Sequence, residues 1–548
     1  MTKYIIFELT YLFILKYKTP SVKILLIHPP VRVDHDPVDI PAGLAILSSI
    51  AIQEGHQVAL LDLNIDRPIL PWSKISEQIS VEKWDLIAIG GLSSMYKDIK
   101  KILQISRKLN PDALIVAGGG FITYLPDKVM QFNPEIDIAA IGEGEYTFRE
   151  ILQEADSKNW KKIRGICYRE DGKIIYTEPR PLISDLDTIP YPAWDLLDMD
   201  TYFKYSGSMW FNGAWKSKRR VNFVTERGCP RQCTFCTHNG MNRWDQIALL
   251  GKDKVKLLDE EAGFQAITRF FSPRYVVNHA LHLHEKYGID YLCLLDENLT
   301  SNPKRVHEFC DLWIKEGLHK KIQLGTAGDA PSITPDIVKH MREAGFTFIS
   351  IGGESGSDKI LLQDIGKGVT VAHNQKAVDT LINGGISPIM TFMVGNPNEN
   401  INDVLETVSF FIKNNIEVNP FICTPYPGTK IFMDNQDFIF QQYDERLELL
   451  QKSPNPNISE DTIKKWKDEA LEEFLLSLNN ATDYTCTVSK HFDFGDLLTI
   501  RHFMHIHDVK KLLKLSHMRG WDHDKKWQNE CEVCKAEELV GIPVFNKK

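Results

Sequence analysis

Short apolar runs closed by glycine or proline, each followed by an amphipathic stretch, recur in two separate series along this chain. That alternation constrains the fold more than any other feature. In the first series the runs cover residues 22–28, 58–62, 85–90, 113–117 and 137–141. Helical spacing lies at 43–54 and 99–109, and a further helix opens near Tyr146. Strands that are apolar throughout, rather than alternating, are covered on both faces, as in a parallel sheet with helices on either side. The runs end on Pro29-Pro30, Gly90-Gly91, Gly118-Gly119-Gly120 and Gly142-Glu143-Gly144-Glu145. Glycine at a strand end lets a ligand approach the backbone closely. The second series has runs at 221–224, 291–296, 322–325, 348–352, 389–395 and 419–424.

These patterns predict an α/β protein of several domains, since 548 residues exceed what one core supports. Residues 1–20 read as an N-terminal extension and 21–155 as a doubly wound, Rossmann-like domain. A linker follows at 156–218, with a hairpin turn at Asp171-Gly172 and an extended, proline-punctuated connector at 179–192. Residues 219–437 form a partial (β/α)6, TIM-like barrel, and 438–548 a mainly helical C-terminal region. The apolar run at 4–15 carries Glu8, lacks a small-residue cleavage site and is too short to span a bilayer, so it reads as an extension rather than a targeting segment.

At the end of the first strand of the second series stands TERGCPRQCTFCTHNG, with Cys229, Cys233 and Cys236 at C-x3-C-x2-C spacing. Three thiols on one tight loop can hold three corners of a 4Fe–4S cubane, which normally takes four thiolates, and so leave one iron open. A zinc knuckle is the alternative, but zinc wants four closed ligands, and only His238 stands near enough in sequence to be the fourth. The other cysteines, Cys167, Cys293, Cys310, Cys423, Cys486, Cys531 and Cys534, are scattered and form no secreted disulfide framework. An open cluster needs a reducing compartment, and the cytoplasm is expected. The formal net charge of −9 disfavours a nucleic-acid backbone as the main partner.

The cysteine motif, with Phe235 just before the third thiol, resembles the radical S-adenosylmethionine (radical SAM) superfamily. The resemblance implies that the open iron binds the amino and carboxylate groups of SAM. Further strand ends fit that pattern in order: Asp296-Glu297-Asn298, FISIGGESGS with Glu354 and Ser355, IMTFMVGNPNE with Gly395, and TPYPGT at 424–429. By resemblance, Asp296 and Glu297 accept hydrogen bonds from the SAM ammonium, Glu354 and Ser355 contact its ribose or amino-acid portion, and the strand leading to Gly395 meets the adenine edge. Phe235 belongs to the same cofactor site. The third strand departs from the family, reading GTAGDAP where relatives carry an arginine.

The first domain resembles the cobalamin-binding domain that precedes many radical SAM enzymes. The matching stretches are HPP, PAGLAILSSIAIQEGHQVALLD, GGLSSMY, AGGG and IGEGE. They imply cobalamin contacts at Pro30, Gly43, Ser93, Ser94, Gly118, Gly119, Gly120, Gly142, Glu143 and Gly144. No D-x-H-x-x-G is present, so cobalamin is expected base-off without a histidine on cobalt, and His28 reads as hydrogen-bonded structure.

In such enzymes an electron from a donor such as flavodoxin or ferredoxin cleaves SAM to a 5′-deoxyadenosyl radical, and methylcobalamin supplies a methyl group. The leading expectation is methylation of an unactivated carbon, or phosphorus, on a small-molecule or lipid intermediate. Non-methylating radical chemistry on the same scaffold, such as oxidative cyclisation, is the runner-up. A non-enzymatic sensor is disfavoured by the set of SAM-contacting positions. A tRNA methylthiotransferase is disfavoured because no cysteine precedes Cys167. Cys423 and Tyr426 are candidate catalytic residues, although a buried structural thiol is the commoner fate. Cys531 and Cys534, near His517 and His523, could be half of a metal site. A charged stretch at 240–272 is either a lid or a solvated helix, and His502, His505 and His507 read as ordinary helix positions.

Overall fold

Lys23–His28 (β1) is buried almost throughout and pairs in parallel with Gln57–Asp62 (β2) on one side and Leu86–Gly90 (β3) on the other. Its neighbours continue with Leu114–Gly118 (β4) and Ile138–Ala140 (β5), also parallel. The structure is a computed structural model, and it describes residues 21–31, 35–207, 217–239, 268–442, 472 and 487–528. The extension at 1–20, most of the charged stretch at 240–272, and Cys486, Cys531 and Cys534 therefore lie outside the described residues.

One face of the first sheet packs on helices Ala42–Gln53 (α1) and Gly144–Glu154 (α2), with Ile24, Leu26, Leu44, Ala88, Val116, Ile138, Phe148 and Ile151 in one core. Each leucine, isoleucine, valine or phenylalanine among these contributes about 1.5–3 kcal/mol when taken fully from water. Asp171 and Gly172 both have positive φ, and they turn Ile166–Glu170 (β6) into Lys173–Tyr176 (β7) as an antiparallel hairpin. The turn is as expected, but the hairpin is not a free connector. β6 pairs antiparallel with β5, so the sheet has seven strands in the order β2-β1-β3-β4-β5-β6-β7. Part of the expected linker is thus sheet.

The chain divides into two compact units. The first comprises Met1–Met209, Met241–Tyr275 and Glu460–Thr482; the second comprises Trp210–Gly240, Val276–Ser459 and Asp483–Lys548. In the second, Arg220–Phe223 (β8), Tyr291–Leu294 (β9), Gln323–Gly328 (β10), Phe346–Glu354 (β11), Ser387–Val394 (β12) and Phe421–Ile422 (β13) form one parallel sheet in sequence order. All six strands lie where the apolar runs place them. Crossover helices return the chain each time, and their starts are written in the sequence. Asn302 caps Pro303–Lys315 through Arg305 N at 3.1 Å, and Asn400 and Asp403 make a capping box for Ile401–Asn414. Beyond the sheet, the described C-terminal residues include the helices Phe494–His505 and Val509–Arg519. His502 and His505 sit on the exposed side of the first of these.

Candidate functional site

In the first unit, the C-terminal ends of β3, β4 and β5 and the start of α1 enclose a cavity of about 260 Å³. Gly43, Gly90, Gly91, Gly118, Gly119, Gly142 and Gly144 line it, together with Leu44, Leu47 and Phe148, and Glu145 is its one charged neighbour. The wall is therefore mostly backbone and hydrocarbon, suited to a flat, weakly polar group entering between strand ends. Gly119 is at φ +91°, and a Cβ there would sit 2.6 Å from the Gly91 carbonyl oxygen, so two strand-end loops meet because neither carries a side chain.

Of the expected cobalamin contacts, Gly43, Gly118, Gly119, Gly142 and Gly144 line this cavity. Pro30, Ser93, Ser94, Gly120 and Glu143 do not. Ser93 and Ser94 open a short 3-10 turn, and Gly120 starts the helix Gly120–Tyr124. The Glu143 carboxylate is held by the buried Arg269 Nη1 at 2.8 Å and by Ile183 N at 2.6 Å, so its side chain is structural. His28 donates through Nδ1 to Asp62 Oδ1 at 2.9 Å, and Tyr202 donates to Asp62 Oδ2 at 2.5 Å. That buried trio is the hydrogen-bonded structure expected of His28.

In the second unit, the cysteine loop leaves β8 and is gripped by the exits of the other strands. Thr234 N donates to Ile365 O at 2.9 Å and Thr234 Oγ1 to Asp364 O at 2.7 Å, while Ile431 N donates to Thr234 O at 2.8 Å. Arg231 Nε donates to Asp329 Oδ2 at 2.8 Å. Asn298 Nδ2 lies 4.0 Å from Cys229 Sγ. Cys233 packs in an apolar patch with Ile360, Leu361, Ile365 and Met393, against which Phe235 and Cys236 also rest. Burial raises the Cys229 and Cys233 thiols, and the Lys367 ammonium counteracts this at Cys233. Thiols that resist ionisation alone are the ones a metal centre must deprotonate on binding.

The three sulfurs thus share one braced loop, a donor set that fits three corners of a 4Fe–4S cluster. His238, the fourth ligand a zinc site would need, is engaged through Nδ1 with Glu297 Oε1 at 2.8 Å. At the exit of the third strand, Asp329 receives the arginine of the cysteine loop, Arg231.

The acids divide sharply. Asp296, expected to meet an incoming ammonium, is buried and accepts Thr225 N, Thr225 Oγ1 and, at 3.1 Å, Glu226 N. It fastens the β9 exit to the start of the cysteine loop. Glu297 keeps a buried Oε2 with no hydrogen-bond partner, the feature an incoming cation would satisfy. Glu226, also fully buried, accepts Asn298 N at 2.6 Å. Burial, and then the neighbouring Asp296, push its carboxyl upward.

Glu354 stands at φ +61° and receives Lys367 Nζ at 2.9 Å. Ser355 is buried and occupied by Ser357 N at 3.1 Å. Gly395 N donates to Glu399 Oε2 at 2.6 Å, so that amide serves the turn rather than a ligand. Cys423 is fully buried, its thiol raised by desolvation, and its amide pairs with Val394 O at 2.8 Å, which is the structural arrangement. Tyr426 forms the turn before Thr429, whose amide donates to its carbonyl at 3.1 Å. Sequence reasoning missed Lys367, Asp364 and Arg231. The one legible signal was Gly366-Lys367-Gly368, a lysine between two glycines that both take positive φ.

Comparison with known proteins agrees with both units. A B12-binding domain profile matches residues 37–152, and a radical SAM superfamily profile matches residues 223–411. An uncharacterized methyltransferase of Pyrococcus horikoshii is 32% identical over 75% of this chain and 82% of its own length. The anaerobic magnesium-protoporphyrin IX monomethyl ester cyclase of Synechocystis is 28% identical over 68% of each chain. Among solved structures, the radical S-adenosylmethionine methyltransferase TsrM of Kitasatospora setae shares the fold, with a TM-score of 0.60, 16% identity and 76% of each chain covered.

Proposed function

The chain belongs to the cobalamin-dependent radical SAM enzymes, and from that premise we propose that it transfers a methyl group to an unactivated carbon, or to phosphorus, of a small-molecule or lipid intermediate. The observation that carries this reading is the pairing of a glycine-walled cavity in one unit with a braced three-thiol loop in the other. When bound, the cluster with SAM supplies a carbon-centred radical and cobalamin supplies the methyl group. The chain's own residues do the rest. Cys229, Cys233 and Cys236 hold the cluster, with Phe235 packed beside them. Glu297 offers its open carboxylate oxygen to the SAM ammonium. Glu354, Ser355 and the backbone about Gly395 border the remainder of SAM. Gly43, Gly118, Gly119, Gly142 and Gly144 admit the cobalamin.

Reduction by a flavodoxin- or ferredoxin-like donor accompanies this reading. Among the described residues no helix is long and apolar enough to cross a membrane. The cyclase relatives favour a second reading, oxidative ring closure on the same scaffold. Anaerobic incubation of the reconstituted chain with methyl-labelled SAM and a metabolite extract separates the two. Methyl transfer predicts a labelled product and about two SAM consumed per turnover, one giving 5′-deoxyadenosine and one S-adenosylhomocysteine. Formation of 5′-deoxyadenosine with S-adenosylhomocysteine near zero would assign the second reading.

A further inference from the structure

Lys367 is a buried lysine with a small, fully specified set of neighbours. Its Nζ donates to the Gly352 carbonyl and to Glu354 Oε1, at 2.9 Å for the latter, and both side chains of the pair are 10% exposed. The space for the pair is made by Gly352, because a Cβ there would lie 2.0 Å from Glu354 Oε1 and 2.6 Å from Lys367 Nζ. The same segment grips the cysteine loop. The Ile365 carbonyl accepts Thr234 N, the Lys367 carbonyl is 3.5 Å from Arg231 Nη1, and Ile365 and Leu361 pack on Cys233. The segment that carries this cation is therefore part of the brace of the three thiols, on the side of Cys233.

We propose that Lys367 places a fixed positive charge beside the Cys233 corner of the cluster and so raises the cluster's reduction potential, with Glu354 as the counter-charge that tempers it. This rests on the assignment of the three cysteines to the cluster. Adding an electron to an iron–sulfur cluster adds negative charge, and nearby net charge and exposure are what a protein uses to set that potential. In a buried setting a unit charge acts with little screening. Burying an ammonium without need is costly, and its retention here in an ion pair requires the excellent geometry that the Gly352 gap supplies. Arg231 contributes a second cation to the loop, but it is neutralised by Asp329.

The test uses the full chain, reconstituted anaerobically without SAM, and measures the cluster's midpoint potential by redox-poised electron paramagnetic resonance. Lys367→Met is expected to lower the potential and Glu354→Gln to raise it, while Lys367→Arg stays near the unaltered chain. Opposite signs are the diagnostic, since loosening of the loop would push both variants the same way. Should Lys367→Met fail to fold, the Lys367→Met, Glu354→Gln double variant removes the unpaired buried carboxylate and is expected to lie below both the unaltered chain and Glu354→Gln. The Glu354→Gln shift then carries the sign by itself. A potential that does not move in either single variant, or moves the same way in both, overturns the inference. Iron assays on the same samples keep the premise separate, because a chain that binds no cluster before any substitution overturns the cysteine assignment itself.

Discussion

Glu399 accepts Gly395 N at 2.6 Å and Asn396 N at 3.0 Å through one oxygen, and its other oxygen is buried without a partner. Desolvation raises its carboxyl from 4.5 to about 7. A raised acid stabilises the fold fully below its unfolded value and loses that contribution as pH rises through the folded one. The share due to Glu399 should therefore fall between about pH 4.5 and 7, by roughly 3 kcal/mol. Thermal melts of apo Glu399→Gln across that range should show a flatter decline than the parent, and parallel curves would refute the assignment. The thiols make the second residue-scale prediction. Replacing Cys229, Cys233 and Cys236 together by alanine should remove the roughly four irons per chain that such a cluster carries and abolish 5′-deoxyadenosine formation. Iron retained at the parental level in an iron assay would count against the three-thiol site.

At the scale of elements, the strand ends decide what each unit can bind, and Gly119 is the sharpest instance. Alanine there would meet the Gly91 carbonyl oxygen at 2.6 Å and hold φ +91°, a region costly for a residue with a Cβ. Gly119→Ala should destabilise the first unit by about 1–3 kcal/mol and reduce bound cobalamin, read from its visible absorption, while leaving iron content unchanged. Equal loss of both cofactors would show that the contact is not local to the β3 and β4 loops. The strands themselves were legible because apolar runs and their glycine or proline ends are local signals. The β6–β7 hairpin was legible as a turn through Asp171-Gly172 but not as part of the sheet, since edge pairing with β5 is a long-range choice.

For the whole molecule, the sequence predicts two α/β units in series, and the structure has a seven-stranded mixed sheet and a six-stranded parallel sheet. The family profiles fall on the same two stretches. Relatives named as methyltransferases and as cyclases each match over two thirds or more of this chain, so the fold alone does not fix the reaction type.

The sequence by itself determined the strand–helix order, the glycine strand ends and the three-thiol donor set, because each is encoded within a few consecutive residues. Only the tertiary structure decided which acids remain open. Asp296 is consumed by Thr225 and Glu226, whereas Glu297 keeps a free oxygen, although the two are adjacent in the chain. Arg231 meets Asp329 across 98 residues, and Lys367 reaches Glu354 over a gap that Gly352 leaves. A charged side chain's role depends on which partner burial brings to it, and that is set by how strand exits converge rather than by sequence spacing.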